Sequence, residues 1–197
     1  MIGVIRVLTT EDPQVLNRHG QLLEARYQIP TVSRCIPDQP RGIYSDETEA
    51  IATPKIVALA REMVDQGARG LFISCAADPA LAETRRAVSV PVVAAGSAGA
   101  AAALALGGRI GILSITDRVP PAMARILGER VVALERPEGV TNTTHLLEPG
   151  AVDRSLASAR KLVGQGADTI LFACTGFVTE AGPGPAESPS DVGGPGG

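Results

Sequence analysis

The sequence predicts an α/β fold of two similar lobes with parallel sheets and a ligand cleft between them. Three observations carry this expectation. Residues 58–75 (ALAREMVDQGARGLFISC) and 157–174 (ASARKLVGQGADTILFAC) repeat one pattern at a constant offset of 99. The repeat extends to IGVIRVLTT at 2–10 and IGILSIT at 110–116. Between these segments, short continuous apolar runs alternate with helical patterns, as in a parallel sheet covered on both faces.

The elements follow in order. Strands are expected at 2–8, 69–74, 90–94, 109–115, 131–134 and 168–173. Thr53-Pro54 reads as an N-cap followed by proline at the first helical position, and Gly67 as the glycine beyond the last turn, giving a helix over 54–66. Asp78-Pro79 signals a second helix, to about residue 87. Ser97 is expected to cap a helix stopped by Gly107-Gly108, Pro120-Pro121 to open one to about 128, and Asp153 to cap the helix before Gly166. Asp46 and Glu49 form a candidate capping box. Residues 33–48 hold two prolines, a glycine and clustered polar side chains, and read as a long loop of the functional kind. The first lobe is placed at 1–97 and the second at 98–180. The tail, 181–197, has ten Gly or Pro among 17 residues and is expected to be disordered.

Composition excludes several classes of function. A net charge of −3, with no basic stripe, disfavours a nucleic-acid partner, and 3% aromatics without Trp provide no base-stacking surface. No secretory leader is recognisable, and the most apolar stretch is too short and too rich in Gly to span a bilayer. No membrane partner is therefore expected, and a cytoplasmic location is. Three cysteines without a CxxC pair suit neither a disulfide framework nor a zinc site, and His19 and His145 lack ligand spacing and read as surface or loop residues. Two small lobes with few aromatics bury limited area, which leaves a homo-oligomer open.

The candidate chemistry lies at the strand ends. Cys75 and Cys174 end equivalent strands of the repeat, and in open α/β sheets the ligand crevice lies outside the carboxyl ends of the strands. Helix N-termini and small residues after each cysteine are expected to favour the thiolate. One thiolate can then take a proton from a carbon beside a carbonyl while the other thiol returns one to the opposite face. The amides after each cysteine, with the hydroxyls of Thr9, Thr116 and Thr175, are candidates to hold the carboxylate or enolate oxygen. A single buried cysteine is commonly just a small apolar core residue. Two at equivalent positions of a duplication outweigh that reading. Cys35 has no partner in the repeat and reads as a loop residue.

ISCAADPAL at 73–81, VPVVAAGSA at 90–98, GGRIGILSIT at 107–116 and GADTILFACTG at 166–176 resemble the aspartate/glutamate/hydantoin racemase superfamily, with Cys-x-x-Asp-Pro-x-Leu similar to the hydantoin racemase branch. The resemblance covers most of residues 1–177. It implies two Rossmann-like lobes related by a pseudo-twofold with the active site in the cleft between them, and racemisation of an amino acid or amino-acid derivative by Cys75 and Cys174, without pyridoxal phosphate, other cofactor or metal. It also implies a small carboxylate or hydantoin as substrate, anchored by Thr9, Ala76, Thr116, Thr175 and Gly176. Two departures stand out. Val-Leu-Thr-Thr-Glu-Asp replaces the usual Asn-rich turn after the first strand, and the Gly/Pro tail replaces a helix, a strand and a final helix, which suggests a truncated or frameshifted end. Arylmalonate decarboxylase-like or maleate isomerase-like chemistry on the same scaffold is the nearest alternative. A non-catalytic small-anion binding protein is the alternative from another class.

Overall fold

The computed structural model describes residues 1–177. Its strands form two parallel sheets, one from each half of the chain. In the first, β1 (Ile2–Arg6) lies between β2 (Thr31–Cys35) and β3 (Leu71–Ser74), with β4 (Val92–Ala94) outside β3. In the second, β5 (Ile110–Leu113) lies between β6 (Val131–Glu135) and β7 (Thr169–Phe172). Strand order therefore reverses beside β1 and again beside β5. A crevice opens at such switch points, at the carboxyl ends of the strands. The expected tail, 181–197, lies outside the described residues.

The repeat in sequence is a repeat in register. Gly3 pairs with Leu71 across β1 and β3, and Gly111 pairs with Ile170 across β5 and β7. A side chain on Gly3 would meet Met63, and one on Gly111 would meet Leu162, the equivalent residue of the repeat. The helices α2 (Asp46–Asp65) and α6 (Ala151–Gly164) end identically. Gly67 and Gly166 take φ of 93° and 95°. Their amides, with those of Ala68 and Ala167, donate to the last-turn carbonyls of Val64, Val163, Met63 and Leu162. This is the left-handed cap that glycine permits without a Cβ clash.

Several local expectations are corrected. Residues 13–27 were given no element, yet they form α1 (Pro13–Tyr27), capped by the Asp12 carboxylate accepting from Gln14 N at 2.8 Å. The expected loop 33–48 instead begins in β2, so Cys35 ends an edge strand. Helix α2 starts at Asp46, because Ser45 and Thr48 form a reciprocal capping box there, and Pro54 is carried inside the helix. Asp78 does not cap the short α3 (Leu81–Ala87). Its buried carboxylate accepts from Gly96 N at 2.6 Å and Ser97 N at 2.8 Å, and so caps α4 (Ala95–Leu106). It thereby displaces Ser97 from that role. Similarly, Gly150 stands at the N-cap of α6, with Asp153 in its first turn. The expected helix at Pro121–Leu127, α5, is present.

Burial joins the two halves. Ile5, Ile56 and Ile73 are fully buried in the first lobe, and Ile110, Ile112 and Met123 in the second. Two residues of the first half pack into the second: Ala76 joins the cluster of Ile110 and Ala173, and Tyr44 packs on that of Leu113, Cys174 and Phe177. Burying a large apolar side chain contributes about 1.5–3 kcal/mol. The exposed Arg118–Asp46 ion pair that also crosses between the halves adds little by comparison. Among the described residues no helix is long and apolar enough to cross a membrane.

Candidate active site

β3 and β7 each run on into a cysteine. Cys75 and Cys174 are 9% and 8% exposed, and both line one cavity of about 70 Å³ between the sheets. Ala76, Thr116, Thr175 and Gly176 line it as well. Thr9 does not. Its hydroxyl donates to Ile36 O at 2.6 Å and accepts from Gln39 N at 2.7 Å, so it fastens the segment after β2 outside the cavity. Cys35 lies on that outer side too, its thiol 3.6 Å from Thr10 O.

The donors expected to face a substrate are largely engaged inside the protein. Gly176 N points at Cys174 Sγ at 3.4 Å, and Thr143 Oγ1 stands 3.9 Å from the same sulfur. The Ala77 amide does the equivalent for Cys75. Thr175 Oγ1 donates to Ser74 O at 3.1 Å, across the two repeats. Thr116 Oγ1 donates to Arg118 O at 3.1 Å.

The thiols are not the acidified groups that strand-end position suggested. Burial pushes Cys75 up to about 12, with its Ala77 bond opposing and the neighbouring Cys174 adding to the rise. Burial also raises Cys174, but Gly176, Thr143 and the Arg6 charge all oppose it. No α-helix begins directly at either sulfur: only a single 3-10 turn (Thr175–Phe177) follows Cys174, and α3 starts six residues after Cys75. Desolvation therefore outweighs the local dipoles. Burial keeps both thiols protonated at neutral pH, and Cys174 has the more favourable surroundings for ionisation.

Sequence reasoning missed two buried groups. Arg6, the last residue of β1, is 7% exposed and lines the cavity, although IGVIRVL reads as a plain apolar strand. His19 is also 7% exposed, so the expectation of a surface residue is corrected. Its Nδ1 lies 2.5 Å from Ser74 Oγ, and its ring hydrogen-bonds the Thr175 backbone. A neutral imidazole has one donor and one acceptor. Donation to the Thr175 carbonyl leaves Nδ1 to accept the Ser74 hydroxyl proton. The ring thus ties the residue before Cys75 to the residue after Cys174. His145 meets Thr141 and Asn142 away from the cavity. The only sequence signal for His19 was the polar stretch after Asp12-Pro13, which marks a helix start.

Burial lowers His19 to about 3, with the charges of Arg6 and Arg18 acting in the same direction. The unfolded ring takes a proton below its ordinary 6.5 while the folded ring resists it. Stability is therefore present above pH 6.5 and is lost as pH falls toward 3, by about 1.4 kcal/mol per pH unit. A His19→Gln variant is expected to be less stable at pH 7 and to show a flatter acid limb. Urea melts between pH 4 and 7 check this, and parallel acid limbs for both proteins would contradict it.

Ile43, Tyr44 and Ser45 bring the segment after β2 over the cavity, and Glu49 reaches it from the first turns of α2. Gly42, at φ 71°, lies against Thr143 and brings this segment close to the second lobe. Among the described residues no group of three or more His, Cys, Asp or Glu could hold a metal ion.

A family model described as Asp/Glu/hydantoin racemase matches residues 2–183. The chain belongs to the Asp/Glu/hydantoin racemase family. No curated protein matches it in sequence. Among solved structures, this family member is similar to allantoin racemase from Klebsiella pneumoniae, at 22% identity and TM-score 0.77, covering 89% of this chain and 74% of that one. It is similar to allantoin racemase from Pseudomonas fluorescens at 18% identity and TM-score 0.72, covering 89% and 77%. Glutamate racemase from Aquifex pyrophilus matches at 17% identity and TM-score 0.58, covering 88% and 70%. At these identities the likeness shows the two-lobed α/β fold of the racemase family.

Proposed function

We propose that the protein is a cofactor-independent racemase or epimerase of an amino acid or amino-acid derivative, with Cys75 and Cys174 as its two acid/base groups. One observation carries the reading: two cysteines from equivalent strand ends of a duplicated fold line one small cavity. Two proton-transfer groups on opposite sides of one carbon are what inversion without a cofactor requires. Membership of a racemase family supports the same reading. The cavity suits a compact reacting centre. Its volume of about 70 Å³ is several times the roughly 10–15 Å³ that holding one water requires, room enough for a carboxyl and an α-carbon.

In this mechanism the thiol that ionises takes the α-proton and the opposite thiol donates its own to the other face. The two then exchange roles for the reverse direction. Amides of Ala77 and Gly176 beside the sulfurs stabilise whichever is the thiolate. His19, Ser74 and Thr175 fix the spacing of the two strand ends behind the cavity.

Proton NMR in D2O tests the proposal. Single enantiomers of 5-substituted hydantoins, aspartate and glutamate are incubated with the protein, together with arylmalonates. Enzyme-dependent loss of an α-proton signal with loss of optical purity is the expected result. CO2 release from a malonate without racemisation of any compound would place the activity with decarboxylation instead.

A further inference from the structure

We propose that Arg6 is the specificity-determining residue of this cleft and that it pairs with a free carboxylate on the substrate. The proposal rests on the racemase reading for the word substrate, but the anion site itself stands on separate observations.

Arg6 lies at the carboxyl end of β1, at the switch point of the first sheet. It shares the cavity wall with both cysteines. The side chain is more than nine-tenths buried, and its Nη1 is buried with no hydrogen-bond partner among the described residues. The ion pairs seen at Arg34, Arg86, Arg118, Arg136 and Arg154 do not involve it. Glu49 is the carboxylate lining the same cavity, and it forms no ion pair with Arg6.

A buried guanidinium with an unfilled donor is costly. It cannot shed its charge at physiological pH, and leaving a buried charge unpaired costs several kcal/mol. Folds keep such a group where something else completes it. The guanidinium fork matches a carboxylate through two parallel N–H···O bonds. The thiols do not fill this role, because burial keeps both protonated and uncharged at neutral pH. A carboxylate bonded to Arg6 would place the adjacent α-carbon within the cavity that the two sulfurs line. A closed hydantoin ring offers no such anion at neutral pH.

The test compares matched pairs: N-carbamoyl amino acids, which carry a free carboxylate, and the 5-substituted hydantoins formed from them by ring closure. Full-length protein is assayed at pH 7 for α-proton exchange in D2O and, by calorimetry, for binding. Exchange or binding of the open carboxylates in preference to the rings is expected. Arg6→Gln should weaken the carboxylate KM or Kd by about 10- to 100-fold, and Arg6→Lys by less. Exchange of the rings without binding of the carboxylates would overturn the anion site and leave the racemase reading standing. So would an Arg6→Gln variant with unchanged carboxylate KM. Arg6-dependent carboxylate binding with no exchange on any compound would support the anion site and overturn the racemase reading. Should Arg6→Gln fail to fold, the wild-type comparison within each pair still decides.

Discussion

Cys75→Ser and Cys174→Ser are each expected to lower racemisation by on the order of 10²–10⁴-fold or more, the usual worth of a positioned acid/base group. A serine hydroxyl fills nearly the same space but is far too weakly acidic to replace a thiol. The protein should stay folded, since each sulfur occupies an apolar wall and a buried hydroxyl costs little beside whole-domain stability. Thermal melts within a few degrees of wild type would establish that the loss is chemical. The two variants should also differ. Cys174 has Gly176, Thr143 and Arg6 to favour its thiolate, whereas Cys75 has the Ala77 amide and the opposing thiol. Cys174 is thus the readier base in the free enzyme. Because burial raises both thiols, kcat/KM should climb as pH rises above neutrality and still be climbing at pH 9. A rate that is flat from pH 6 to 9 would contradict the buried, protonated thiols.

Gly96→Ala is expected to be the most damaging single-methyl change among the described residues. A Cβ there would fall on the backbone carbonyl of Ala76, the residue directly after Cys75, and 2.6 Å from Asp78 Oδ1. The obstacle is backbone, so it cannot rotate away. Relief requires either α4 or the strand end to shift. That shift would also pull Gly96 N and Ser97 N from the Asp78 carboxylate. Overpacking and cap loss together cost about 2–4 kcal/mol, a fall of roughly 5–15 °C in Tm for a domain of this size. Turnover should fall further than stability alone explains, because the displaced carbonyl carries Cys75 with it. Gly67→Ala is the matched control. Nothing lies near its Cβ, and only the φ of 93° opposes the change, for about 1 kcal/mol. Equal effects at the two glycines would show that the Ala76 approach is not tight.

Much of this arrangement is legible in the chain. The offset repeat at Cys75 and Cys174 marks two strand ends because helix, glycine stop and apolar strand recur in the same order, and the structure pairs Gly3 and Gly111 in the same register. What was hidden has physical reasons. Helix α1 is mostly polar and lacks a wide apolar stripe, so periodicity did not announce it. Strand β2 is a short edge with one exposed and several half-buried residues, which reads as loop. Arg6 sits within an apolar run that reads simply as a strand. His19 gains its role from Ser74, 55 residues away, a partner that no local pattern encodes. Thr9 resembled a substrate anchor because it follows a strand, but its hydroxyl is taken by Ile36 and Gln39. The thiol acidity failed for a different reason: dipoles can be guessed from sequence, whereas the degree of desolvation cannot.

The central claim is that two thiols act from opposite faces of one carbon. Its most direct test follows a single enantiomer of the substrate in D2O at early conversion and measures deuterium separately in the product and in the remaining substrate. Two bases predict a fully deuterated product, formed by the second thiol, while recovered substrate keeps its protium. Protium retained in the product, or deuterium appearing equally in substrate and product from the first turnovers, would mean that one group handles both faces and would contradict the account.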